Sequence, residues 1–154
     1  MESDKNPIEE LANNELLLNR LYLAYGNNLV DMKGFWDEIA ADERRHYEMV
    51  MELLRKEISG EIFVHEDRFD IKAIRSFGDE MVKRINEAED TKPDAIKSLT
   101  VSVQAEHNLL ERNIFEVFES DDFTLQDILG ALKGETEEHL KTVENKLKEY
   151  TANS

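Results

Sequence analysis

Apolar residues recur every three or four positions along most of this chain, the spacing that lines one face of an α-helix. The first such run begins near Asn6, with Pro7 at the favoured first helical position and Glu9 and Glu10 in the first turn, and reaches Gly26 or slightly beyond. A second runs from about Gly34 to Ser59-Gly60, and Glu61 to Phe69 reads as an irregular connection. From Asp70 to about Glu89, Ile71, Ile74, Phe77, Met81 and Ile85 predict a shorter amphipathic helix. Pro93 opens a third long helix to about Phe118, and Ser120-Asp121-Asp122 breaks it. Thr124 and Asp127 then resemble a capping box for a final helix to about Tyr150, with residues 1–5 and 151–154 frayed.

These elements predict one all-α domain over residues 1–154. Its expected form is a ferritin-like four-helix bundle, two antiparallel helical hairpins joined by a long crossover that contains a short extra helix.

Polar residues interrupt the inward stripes at one place in each long helix. The first helix reads Leu11, Glu15, Leu18, Tyr22, Tyr25, Leu29, and the second reads Trp36, Ile39, Glu43, His46, Val50, Leu53. The third long helix reads Ile96, Leu99, Val103, Glu106, Leu110, Asn113, Val117. The last reads Leu125, Ile128, Leu132, Thr136, His139, Val143, Leu147, Tyr150. Facing residues of an antiparallel hairpin lie about equally far from its turn, since each residue rises about 1.5 Å. Glu15 and the Glu43/His46 pair are centred between Gly26 and Gly34, and Glu106 and His139 on the Ser120–Phe123 break. Both hairpins therefore bring their polar residues to one level. Several carboxylates buried there would cost several kcal/mol per ion unless protonated, paired or bound to cations.

Composition narrows the chemistry. The chain has 154 residues, 19 basic against 35 acidic, a formal charge of −16. That balance argues against nucleic acid and anionic membrane surfaces as partners. With no cysteine, thiolate sites and disulfides are excluded, so a metal must be held by oxygen and nitrogen. Such ligands suit iron or manganese, and also zinc. No apolar run approaches a membrane span and no signal opens the chain, so a cytoplasmic location is expected.

Glu15 with Tyr22 seven residues on, Ala41-Asp42-Glu43-Arg44-Arg45-His46, and Ala105-Glu106-His107 together resemble the ferritin-like di-iron superfamily, in particular the bundle domain of rubrerythrins. The resemblance runs from about Glu9 to Tyr150. It implies Glu15 and Glu106 as single carboxylate ligands, Glu43 and His46 as a Glu-x-x-His pair, and His139 as the end of a second pair. It also implies two iron ions per chain, oxidation of ferrous iron or reduction of peroxide or oxygen, a separate electron-donor protein and a homodimer. Tyr22 would stand behind the ligands.

The sequence departs from the family pattern in three places. Thr136 occupies the position of a ligand glutamate, and Glu135, four residues before His139, is the nearest replacement. Leu109 stands where rubrerythrins commonly carry a second carboxylate, and a rubredoxin-like module is excluded by the lack of cysteine. Two alternatives stay open: a non-catalytic metal-binding protein, and a metal-free interaction bundle with a degenerate site. His107, His65, Glu111, Glu116, Glu137 and Glu138 are expected at the surface or without ligand partners, and Trp36, Phe35 and Met49-Val50-Met51 in the core or an interface.

Overall fold

The computed structural model describes residues 6–63, 70–111 and 123–152. Within them lie five α-helices: α1 (Pro7–Asn28), α2 (Lys33–Ile58), α3 (Ile71–Asp90), α4 (Ala95–Glu111) and α5 (Phe123–Ala152). The protein is all-α, as its periodicity predicts. His65, Asn113, Glu116, Val117 and the Ser120–Asp122 break lie outside the described residues, as do the side chains of Glu111, Thr124 and Leu125.

Local chemistry sets the helix starts. Asn6 caps α1, its side chain accepting from the Ile8 amide at 2.8 Å, and Pro7 follows at the position where a missing N–H costs nothing. Asp70 caps α3 through the Ala73 amide at 3.0 Å. Pro93 does not open α4 as the sequence suggested. Asp94 intervenes as the cap, accepting from the Lys97 amide at 2.8 Å, because its carboxylate can satisfy a free first-turn N–H.

Two further boundaries differ. Thr124 lies inside α5, which already includes Phe123, so the helix does not begin at Thr124. Thr151 and Ala152 are helical, not frayed, and the Thr151 hydroxyl donates to the Leu147 carbonyl at 3.0 Å.

Side-chain contacts fix the helix directions. A three-residue 3-10 turn, Val30–Met32, returns the chain from α1 into antiparallel α2. Asn14 Nδ2 donates to the Ile74 carbonyl and Asn28 Nδ2 to the Ala88 carbonyl, both across a separation of 60 residues. A constant separation means that α3 runs parallel to α1, carrying the chain back along its length. Gly78 lets them close, since a Cβ there would lie 2.8 Å from Asn14 Oδ1. α4 then starts beside the end of α3 and descends to Glu106. In α5, His139 meets Glu43 and Lys146 lies over the Phe35 ring, so α5 is antiparallel to α2.

The core gathers around Trp36, Tyr22 and Tyr25, all 1% exposed or less. α1 buries its seam and also a second stripe, Asn14, Leu17 and Leu21, because α3 covers its other side. The buried face of α4 is rotated from the one expected. Ser98, Val101, Ser102, Ala105 and Leu109 are buried with Leu99 and Glu106, while Ile96 is 36% exposed and Val103 and Leu110 are half-buried. Small residues allow a neighbouring backbone to approach, and the Ser102 hydroxyl is satisfied by the Ser98 carbonyl at 2.9 Å.

Candidate metal centre

α1, α2, α4 and α5 bring Glu15, Glu43, His46, Glu106 and His139 to one level, and none of the five is more than 6% exposed. Glu43 is the centre of the group. Its Oε1 lies 2.9 Å from His139 Nδ1 and its Oε2 lies 3.3 Å from His46 Nδ1. Glu15 approaches His46 Nδ1 at 3.8 Å, and Glu106 approaches His139 Nδ1 at 3.7 Å. The two rings are 5.3 Å apart between centroids. One donor atom each from Glu43, His46 and His139 falls within a mutual 4.8 Å, close enough to share an ion.

Each imidazole presents Nδ1 inward and is held from outside through Nε2. His46 Nε2 is 3.0 Å from Glu135 Oε2, and His139 Nε2 is 2.9 Å from Asp42 Oδ2. The carboxylate comes from the opposite helix in both cases. Asp42 precedes His46 by four residues and Glu135 precedes His139 by four, so the site has an approximate twofold arrangement. An acceptor at Nε2 holds a proton there, so Nδ1 is the nitrogen that would face a cation once its own proton has left, the usual outer arrangement of a histidine metal site.

Glu135 is therefore beside His46 and not beside His139, as a shift of helical phase would have placed it. Its other oxygen pairs with Arg45. Thr136 is buried with its hydroxyl donated to the Leu132 carbonyl at 2.8 Å, as a threonine in a helix commonly does. Asp42 and Arg45 are the residues the stripe analysis missed. They lie off the apolar rhythm, and the available signal was the matching four-residue offset of Asp42 and Glu135 from the two histidines.

Tyr22 donates its hydroxyl to Glu106 Oε1 at 2.7 Å. Burial, followed by the charges of Glu106 and Glu43, raises its pKa well above the usual phenol value, so it remains a hydrogen-bond donor. Behind it, Trp36 packs 5.8 Å away, which makes Tyr22 both a core residue and a partner of the site. His107 is exposed, as are Glu137 and Glu138.

The electrostatics show what the group does without a cation. Burial first, and the nearby Glu43 second, push Glu15 up to about 8, so it is protonated at neutral pH. Burial disfavours the imidazolium of His46, yet Glu15 and Glu43 outweigh it and push His46 up to about 10. His139 is pushed up to about 11 by Glu106 and Glu43 against the same burial. At the rim, partial burial would raise Asp42, but His139 and Arg45 hold it below its usual value. Two imidazolium charges thus stand in for a cation.

That substitution is incomplete. Among the described residues, Glu15 Oε2 and Glu106 Oε2 are buried with no group at hydrogen-bond distance, Glu15 Oε2 coming no nearer than an ion-pair contact of 3.8 Å to His46 Nδ1. A buried carboxylate oxygen left unpaired costs about 1–3 kcal/mol or more. Three carboxylates, two inward Nδ1 atoms and two unused oxygens suit a divalent cation bound by oxygen and nitrogen. Among the described residues no helix is long and apolar enough to cross a membrane. No family model, no curated protein and no solved structure matches the chain.

Proposed function

We propose that this protein is a ferritin-like, rubrerythrin-like di-metal carboxylate protein that binds iron and acts as an oxidoreductase, oxidising ferrous iron or reducing peroxide or oxygen. The observation that carries this reading is the convergence of Glu15, Glu43, His46, Glu106 and His139 in a buried space that leaves Glu15 Oε2 and Glu106 Oε2 unsatisfied. The helix directions also agree with a bundle of two hairpins, α1/α2 and α4/α5, with α3 as the return.

In this reading Glu43, set between both imidazoles, would be among the residues that hold the metal. Glu15 with His46 serves one side and Glu106 with His139 the other. Iron, when bound, supplies the electron transfers to oxygen or peroxide. The chain supplies the rest: Nδ1 atoms aimed inward by Asp42 and Glu135, a Glu106 carboxylate oriented by Tyr22, and apolar walls that exclude bulk water. A separate reductant returns electrons between turnovers.

A second reading, a non-catalytic protein that binds a single ion, is favoured by one observation. Thr136 is self-satisfied by Leu132, and Glu135 is engaged by His46 and Arg45, so among the described residues the His139 side has no fourth inward carboxylate. Anaerobic ferrous loading followed by hydrogen peroxide separates the two. The enzyme reading expects two irons per chain, an oxo-bridge absorption after oxidation and peroxide consumed in turnover with a supplied reductant. A single iron without turnover establishes the binding protein, and no retained iron contradicts both.

A further inference from the structure

The five inward groups are at most 6% exposed, and the members of the network that reach solvent are Asp42, Glu135 and Arg45, at 37%, 35% and 51% side-chain exposure. Arg45 joins the other two. It donates to Asp42 Oδ1 at 2.9 Å and pairs with Glu135 Oε1, while Asp42 Oδ2 and Glu135 Oε2 hold His139 and His46. One guanidinium therefore spans α2 and α5 and occupies one oxygen of each carboxylate that holds an imidazole.

Resting on the metal-binding reading above, we infer that the α2–α5 rim is the cation's way into the site, with Asp42 and Glu135 as transit carboxylates and Arg45 as the charge that an arriving cation displaces. The pairing is exposed, and exposed ion pairs contribute little to stability, so Arg45 can leave at small cost. Its positive charge opposes an approaching cation, and its departure frees Asp42 Oδ1 and Glu135 Oε1 together. From there the cation passes to the Nδ1 side of the same two imidazoles, and the arginine closes behind it. Uptake and release share this step, so both rates depend on Arg45 while the inward ligand set does not.

The test follows cobalt(II) uptake by the metal-free protein in stopped flow, using ligand-field absorption, and its release to excess chelator. Arg45→Gln is compared with Arg44→Gln, which removes the same charge one residue away, where Arg44 is paired with Glu48 at 3.6 Å and is 57% exposed. The inference expects Arg45→Gln to speed both uptake and release by about tenfold or more, with stoichiometry unchanged and Arg44→Gln near the wild type. Equal acceleration by Arg44→Gln would make the effect one of general charge and overturn it. So would faster release with unchanged uptake, which would make Arg45 a support for the imidazoles. Wild-type protein that binds no cobalt overturns the site reading itself, an outcome distinct from a bound site with unaltered kinetics.

Discussion

Glu43 holds both imidazoles, one on each oxygen, so it is the residue whose loss the site tolerates least. Glu43→Ala is expected to abolish tight metal binding in equilibrium dialysis. Glu135→Ala removes the acceptor at His46 Nε2 and a partner of Arg45 but no inward ligand, and should keep the stoichiometry while weakening affinity about 10–100-fold, the usual effect of losing an outer partner of a ligand histidine. If Glu135→Ala instead lowers the number of bound ions, Glu135 is itself a ligand. Tyr22→Phe strips Glu106 Oε1 of its donor at 2.7 Å and is expected to destabilise the metal-free protein by about 1–3 kcal/mol in urea unfolding. At this scale the sequence was informative for the residues on the seam. Glu15, Glu43, His46, Glu106 and His139 interrupt an apolar rhythm and are all buried. For Asp42 the sequence held only the four-residue offset that Glu135 shares, and the role of Asp42 and Arg45 depends on which helix faces α2, a tertiary fact.

The helices show the same division. α1, α2 and α3 begin and end within two or three residues of the boundaries read from caps and periodicity, since Asn6, Pro7 and Asp70 act through their immediate neighbours. The rotation of α4 was not legible, because Ile96, Val103 and Leu110 make as good a stripe on paper as Ser98, Ser102 and Leu109. Packing of small residues decided it. The second buried stripe of α1 was hidden for a similar reason: Asn14 and Asn28 look solvent-facing until α3 supplies the Ile74 and Ala88 carbonyls. Gly78 tests this packing. Alanine in a helix gains about 1 kcal/mol over glycine, but overpacking costs about 1–3 kcal/mol. The new Cβ would sit 2.8 Å from an Asn14 amide that is pinned by its bond to Ile74, so the clash should prevail. Gly78→Ala is expected to lower the melting temperature, and Asn14→Ser in the same chain to restore much of it. A rise in melting temperature from Gly78→Ala alone would place α3 farther from α1.

For the whole molecule, protons and metal compete for one set of side chains. His46 and His139 are raised from an ordinary value of 6.5 to about 10 and about 11, so the stability they contribute is full below about pH 6.5 and is lost as pH rises through their folded values. Glu15, raised from 4.5 to about 8, also binds its proton more tightly in the folded chain, so its term too falls as pH rises from 4.5 to 8. Both signs agree. Between pH 6 and 8.5 the metal-free protein should become less stable as pH rises, while manganese(II) affinity, which requires deprotonated ligands, should increase. Thermal melts with and without manganese across that range check both trends, and a metal-free stability that rises with pH would contradict the charge assignment.

The most direct measurement of the central claim is the melting temperature of the metal-free protein at pH 7.5 under anaerobic ferrous titration, with Glu43→Ala in parallel. At a ligand concentration about 100 times the dissociation constant, binding to the folded state alone adds about 2.7 kcal/mol, or roughly 5–10 °C for a chain of this size. The account predicts a rise of that order in the wild type, saturating at a fixed number of ions per chain, and none in Glu43→Ala. A wild-type melting temperature unmoved by ferrous iron, with no iron retained after gel filtration, would contradict it.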